Sequence, residues 1–341
     1  MQNYTNSPSI DNAREIPNNY RNLIKQANIP RETIAKLNEI NTLKASLDLA
    51  NTILVIFATP LIFYFIQNAY VLVICFFINI HAFNRFAQLI HGSDHGWLFR
   101  SSSFNNFWGN LSATFIGYTR AGHQTSHQLH HVYLNTENDS DLIWGAPDEN
   151  MNSFFRSILF DLSGVTALKR LMQYSQIDKK NYSNEPWKKI SLTTILNAIK
   201  ALYPVVFTQL IIILYYSYLI GFKYYLIIYA LPLCTLYPCF IRLRSLVEHS
   251  YPVDQKMQDG QKLQIWFSRT VNASLIERAI FAPLDIPYHF EHHVYPGIPY
   301  YNLHKLNKVL TSHGIAIPTA PGYFGFLIAK YNSDSRGAIS N

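Results

Sequence analysis

Residues 201–222, ALYPVVFTQLIIILYYSYLIGF, run for 22 positions without a charged side chain. About 20 apolar residues in a helix cross the hydrocarbon core of a bilayer, so the segment reads as a membrane span. It argues against the rival architecture, a soluble helical protein with unusually apolar core helices. Three further uncharged runs, Leu49–Ile66, Ala69–Asn84 and Tyr224–Ile241, have 18, 16 and 18 residues. The shortest continues beyond Arg85 as FAQLI, which predicts one long helix that leaves the membrane carrying His91 and His95. Pro60, Pro204, Pro232 and Pro238 lie inside these runs, where neighbouring groups can satisfy the freed backbone.

Composition agrees. Hydrophobic residues make up 49% of the chain and charged residues 14%, against about 25% charged in ordinary soluble domains. Only Gln67 and Asn68 separate the first pair of runs, and Gly221 to Lys223 the second. The expected fold is therefore an all-α integral membrane protein: four transmembrane helices in two hairpins, with a cytosolic helical cap. Both tips carry almost no charge, whereas Lys and Arg number six up to Asp48, nine from His91 to Asn197 and ten after Ile241. Positive residues favour the cytoplasmic face, so the cap is expected there. The expected organisation is a polar arm over 1–45, a membrane domain over 46–325 and a tail over 326–341. The opening MQNYTNSPSIDNAREIPNNY is polar and predicts no secretory signal. Cys75, Cys234 and Cys239 fall inside predicted spans and offer no disulfide framework. Residues 105–118 and 153–172 mix aromatic and aliphatic side chains with few charges, as interfacial helices or core helices of the cap do. A net charge of +7 fits contact with anionic lipid or an acidic protein; the scatter of the basic residues predicts no nucleic-acid partner.

Three histidine clusters then locate the chemistry: HGSDH with His91 and His95, HQLHH with His127, His130 and His131, and HFEHH with His289, His292 and His293. Residues three and four apart share a helix face, so each cluster is expected to aim its rings at one point, as a multi-metal centre requires. Imidazole suits zinc, copper, iron and nickel. HGSDH lacks the glutamate that H-E-x-x-H proteases use as general base, and ligands beyond the spans in fixed clusters do not suit a metal transporter. His81, deep in the second span, reads as a hydrogen-bonded group, and His304 and His313 as surface residues.

HGSDHGWLF after a membrane exit, HQLHH followed by NTENDSD, and PYHFEHHVYPGIPYYNL near the C-terminus together resemble the membrane fatty acid desaturase superfamily, its acyl-lipid desaturases especially, over about residues 46–310. The resemblance implies two iron ions, dioxygen as co-substrate and two external electrons, used to remove hydrogens from an unactivated alkyl chain. It also implies a ninth ligand after the last span, which falls on His249 in RLRSLVEHS. Acyl-CoA desaturases carry an asparagine one turn before that histidine, where this chain has Ser245. Arg244 and Glu248 resemble the R-x-x-x-E-H pattern of bacterial-type relatives, in an orienting role.

A methylene has no acidic proton and no leaving group, so acid–base groups alone cannot act on it and the metal carries the chemistry. The expected product is an alkene in the acyl chain of a lipid or fatty acid. A hydroxylase or ketolase of a lipid or carotenoid is the alternative, and a metal transporter or metal-binding protein the remote one. Asp94, Glu137, Asp139, Asp141, Glu248, Asp285 and Glu291 are candidates to accept the second ring N–H of a ligand, which fixes tautomer and orientation. His123 lies in register with His127 and His131 and is expected beside the metals. Trp97, Phe104, Phe107, Trp108, Tyr118 and Trp144 are candidate walls of an acyl channel. The sequence shows no motif for a Rieske cluster, haem attachment or a nucleotide domain. An external donor such as a ferredoxin or a cytochrome b5-like protein is therefore expected on the basic face, in a bacterial inner membrane or the endoplasmic reticulum.

Overall fold

The computed structural model describes residues 28–136, 138–146, 149–175, 192–250 and 268–339, and these are overwhelmingly helical. Four helical stretches are long and apolar enough to cross a membrane: Arg31–Phe65, Ala69–Asp94, Ile199–Ile220 and Phe222–His249. We label α1 Arg31–Leu37, α2 Thr42–Phe65 and α3 Ala69–Asp94. α2 begins where the Asn41 side chain accepts from the Lys44 N–H, and α3 where Asn68 accepts from Val71; each cap satisfies an N–H that a helix start leaves unpaired. The chain reverses between them. Thr59 Oγ1 donates to Asn79 Oδ1 at 3.2 Å, and Arg85 reaches Thr52 Oγ1 at 2.9 Å and Asp48 Oδ1 at 3.0 Å. With its charge held by Asp48, Arg85 does not interrupt α3, which continues to Asp94 as the FAQLI continuation predicts.

The third stretch lies in α8, Leu192–Ile220. The fourth is composite: α9 Phe222–Tyr225, a π-helical turn Leu226–Ala230, α10 Leu231–Cys234 and α11 Leu236–His249. Within the π turn the Ile228 carbonyl accepts from Asn79 Nδ2 at 2.9 Å, and Tyr216 of α8 joins the same buried network. Phe83, Phe86, Phe115, Tyr216 and Tyr229 fill the core between these helices. Their outer faces are apolar, with Phe65 78% and Leu214 68% exposed, which suits lipid as the surrounding solvent.

The remaining elements are α4 Ser102–Phe115, α5 Arg120–Tyr133, a 3-10 turn Ser140–Trp144, α6 Met151–Leu162, α7 Val165–Ser175, α12 Leu275–Ile280, α13 His289–Val294, α14 Tyr300–Ser312 and α15 Tyr323–Ile339. Two short strands, β1 Thr270–Val271 and β2 Thr319–Ala320, pair in parallel, and Thr270 also bridges to Tyr288 just before α13. The stretch over 153–172, expected to form interfacial helices or core helices of the cap, divides at Gly164, whose φ of +81° suits glycine. Its outward residues include Leu159 and Leu168, 67% and 58% exposed. Asp161 of α6 is fully buried and takes two hydrogen bonds from Arg242 of α11, at 2.6 and 2.9 Å.

Both expected domain limits fall within packed structure. Leu37, inside the supposed arm, packs with Trp97, Tyr300 and Tyr301, and the limit at 325/326 cuts α15, whose Phe326 is buried. On α1 the exposed Arg31, Glu32 and Lys36 conceal this inward contact in the sequence, whereas α15 exposes Phe324 and Ile328 as well as burying Tyr323 and Phe326, so its apolar residues do not mark one inward face. Residues 1–27, the greater part of the arm, lie outside the described residues.

Candidate metal centre

Each histidine is delivered by a helix end or a short helix. α3 brings His91 and, at its C-cap, His95. α5, capped by Thr119 accepting from the Gly122 N–H, carries His127, His130 and His131. α11 terminates on His249, and α13 consists of HFEHHV. The nine rings gather into two groups: His91, His95, His127, His131 and His292 in one, and His130, His249, His289 and His293 in the other. Within each group one nitrogen per ring lies within 4.8 Å of all the others.

The expectation that each sequence cluster aims at one point is corrected here. His127 and His131 enter the first group while His130 enters the second; His289 and His293 enter the second while His292 enters the first. At about 100° per residue, positions i and i+4 diverge by about 40°, whereas i+3 lies about 60° to the other side. The middle histidine of each H-x-x-H-H therefore crosses to the neighbouring group.

The nitrogen spacing fits metal ligation. Nε2 atoms approach at 2.8 Å for His95 and His127, 2.9 Å for His127 and His131, 3.0 Å for His91 and His292, and 2.8 Å for His249 and His289. Two nitrogens bound at about 2.1 Å and at right angles to each other would lie about 3 Å apart. Burial drives His127, His131, His289, His292 and His293 well below the ordinary imidazole range and His95 down to about 3, with neighbouring histidines adding to the effect for all but His95, where His123 does so. Neutral imidazole is the ligating form. His130 differs: burial opposes its charge, but Asp139, Asp141 and Glu248 outweigh burial and push it up to about 9.

Several outer partners fix ring orientation. Asp139 takes His130 Nδ1 at 2.9 Å and is itself held by the backbone N–H groups of Asn135 and Asp141, both at 2.8 Å. Glu248 stands 3.6 Å from His289 Nδ1 and is anchored by Arg244 at 3.1 Å and the Tyr323 hydroxyl at 3.0 Å. Gln88 Oε1 is 3.4 Å from His91 Nδ1. His123 belongs to neither group; its Nδ1 meets Asp94 at 2.6 Å, and Arg120 lies 3.1 Å from the other oxygen of that carboxylate. His292 Nδ1 is buried with no hydrogen-bond partner among the described residues.

Two expected outer partners stand elsewhere. Asp285 faces Arg278 at 3.6 Å and His304 at 3.3 Å. Glu291 accepts from Thr270 at 2.6 Å and Asn307 at 2.5 Å, tying α13 to β1 and α14 rather than orienting a histidine; position i+2 of HFEHH points away from the rings at i, i+3 and i+4. Glu137 lies outside the described residues. His81 is bonded to the Ala279 carbonyl at 2.7 Å, and His313 is exposed.

A cavity of about 120 Å³ adjoins the histidines, lined in part by Trp97, Tyr118, Trp144, Ser245 and Tyr300. Phe104, Phe107 and Trp108 do not line it. They form an edge-to-face row on α4, where Phe104 and Phe107 are 49% and 57% exposed, because their spacing places them on the outward side of the helix. Tyr323, Gln88 and Arg120 escaped the sequence reading. Gln88 sits one turn before His91 and offered a local signal, whereas Tyr323 reaches Glu248 only through the fold.

The model of the family described as "Fatty acid desaturase" matches residues 67–317, well over half of the chain. The chain therefore belongs to the fatty acid desaturase family. It is also similar to a dihydrorhizobitoxine desaturase of Bradyrhizobium elkanii, 31% identical over 94 residues. That match covers 27% of this chain and 25% of the relative, so it spans only a quarter of the relative's length. Family membership and four apolar helices make this a multi-pass membrane protein, with histidine groups that could hold metal.

Proposed function

We propose that the nine histidines hold two iron ions and that the protein uses dioxygen to introduce a double bond into the acyl chain of a lipid or fatty acid. The carrying observation is the pair of all-imidazole groups, five and four rings, in a member of the fatty acid desaturase family. When bound, the irons would supply reduction of dioxygen: two hydrogen atoms leave adjacent carbons, two electrons and two protons enter from outside, and two waters form. The protein's own part is placement. Asp139 and Glu248 orient His130 and His289, Asp94 holds His123, and Trp97 stacks on His95 with ring centres 4.9 Å apart while lining the cavity. A substrate methylene must be held to about an ångström for one outcome to prevail.

In this reading the spans form two hairpins and all the histidines lie on the cytoplasmic side, as the Lys and Arg distribution supports. The electrons come from a ferredoxin or cytochrome b5-like donor docking on that side. The decisive test expresses the protein in a host with a compatible donor and compares lipid extracts by mass spectrometry with double-bond localisation. The expected product is two mass units lighter than its precursor. A product sixteen units heavier would establish hydroxylation instead, and neither product from any acyl lipid supplied would overturn the reading.

A further inference from the structure

A second hollow, of about 830 Å³, lies away from the histidines between α1, the start of α2, the segment after HGSDHGWLF and the start of α14. Lys36, Lys44, Arg100 and Lys305 line it, and Glu39 is the single carboxylate among the lining residues. Lys44 pairs with Asp48 at 3.1 Å, a carboxylate it shares with Arg85. Lys36, Arg100 and Lys305 have no carboxylate partner among the described residues, and all three are exposed. The floor is firm: Tyr301 and Asn302 are buried, Tyr301 accepts from the Asn41 N–H at 2.6 Å, and Asn302 donates to the Leu37 carbonyl at 2.8 Å.

The position of this hollow identifies its occupant. From Asn41 to Leu49, where the uncharged run starts, the helix rises about 12 Å, which places the cations on the headgroup side of the apolar core. Leu43 and Leu47, on the same first turns of α2, are 69% and 61% exposed. Juxtamembrane cations beside exposed leucines meet both parts of a lipid, since the charges attract anionic headgroups and the leucines face acyl chains. Arg and Lys side chains together supply the several donors that phosphate oxygens accept. We propose that the hollow binds the phosphate of an anionic phospholipid. The proposal rests on the membrane placement of α2 given above and not on the chemistry at the histidines. Tyr300, which lines the histidine cavity, adjoins Tyr301 of the hollow, their ring centres 5.0 Å apart, so one aromatic layer separates the two.

The test titrates the full-length protein in detergent, with and without metal, using dihexanoyl phosphatidylglycerol, inorganic phosphate and dihexanoylglycerol. Phosphatidylglycerol should bind, inorganic phosphate should bind much more weakly, and dihexanoylglycerol should not compete. Each single change Lys36→Gln, Arg100→Gln or Lys305→Gln should weaken phosphatidylglycerol about fivefold, and the three together about a hundredfold. The charge-keeping set Lys36→Arg, Arg100→Lys and Lys305→Arg should retain binding. Unchanged affinity in the single glutamine variants would overturn the proposal, and they remain informative should the triple variant fail to fold. Inorganic phosphate binding as tightly as the phospholipid would also overturn it, by making this a site for free phosphate. Because binding is read without turnover, an inactive enzyme would leave the result standing.

Discussion

Asp139 shows how far the order of the histidines depends on residues that are not histidines. Its carboxylate is fixed by two backbone N–H groups before it meets His130, so it holds the ring without having to be ordered itself. Asp139→Asn keeps the shape but removes the charge, and should weaken iron retention about 10- to 100-fold, measured by competition with a chelator. His313→Ala, on an exposed ring, should leave retention unchanged. If both variants kept iron equally well, the orienting role of Asp139 would be wrong. At this scale the boxed histidines were legible, because i, i+3 and i+4 spacing is written locally. His249 needed the family resemblance. The division into groups of five and four was not legible, since it depends on how α3, α5, α11 and α13 meet, and Tyr323 was missed for the same reason.

Helix contact sets the positions of the boxes. Gly109 of α4 is where that helix presses on α3: a Cβ there would meet Ser93 Oγ at 1.9 Å and Arg120 Cδ at 2.8 Å. Ser93 lies between His91 and His95, and Arg120 supports Asp94. Gly109→Ala should therefore push α4 from α3 and cost about 1–3 kcal/mol of stability, read as a lower melting temperature in detergent, with reduced iron content. Gly117→Ala should act through its own backbone strain instead, because its φ of +76° is unfavourable to alanine and a Cβ there meets nothing; iron content should then be the better preserved of the two. The long apolar helices were plain from uncharged runs. The π turn and the β1–β2 clasp carry no such periodic signal, because each is stabilised by partners distant in sequence, as Asn79 is for Ile228.

For the whole molecule, reporter fusions should place the Gln67–Asn68 turn opposite both the α5 region and the C-terminus. A reporter in the Gln67–Asn68 turn giving the same-side signal as one at the C-terminus would sink the two-hairpin topology. The four spans were legible because lipid demands long apolar segments, whereas the packing of 28–41 was hidden by its polar outer face and that of α15 by apolar residues on both its buried and its exposed sides. The crossing of α5 and α13 into both histidine groups has a further result. Each of these helices serves both groups, so filling one positions the rings of the other, and metal uptake should be concerted. Native mass spectrometry at substoichiometric iron should find empty chains and chains with two irons, with few holding one. A dominant one-iron species would mean that the groups fill independently despite the shared helices.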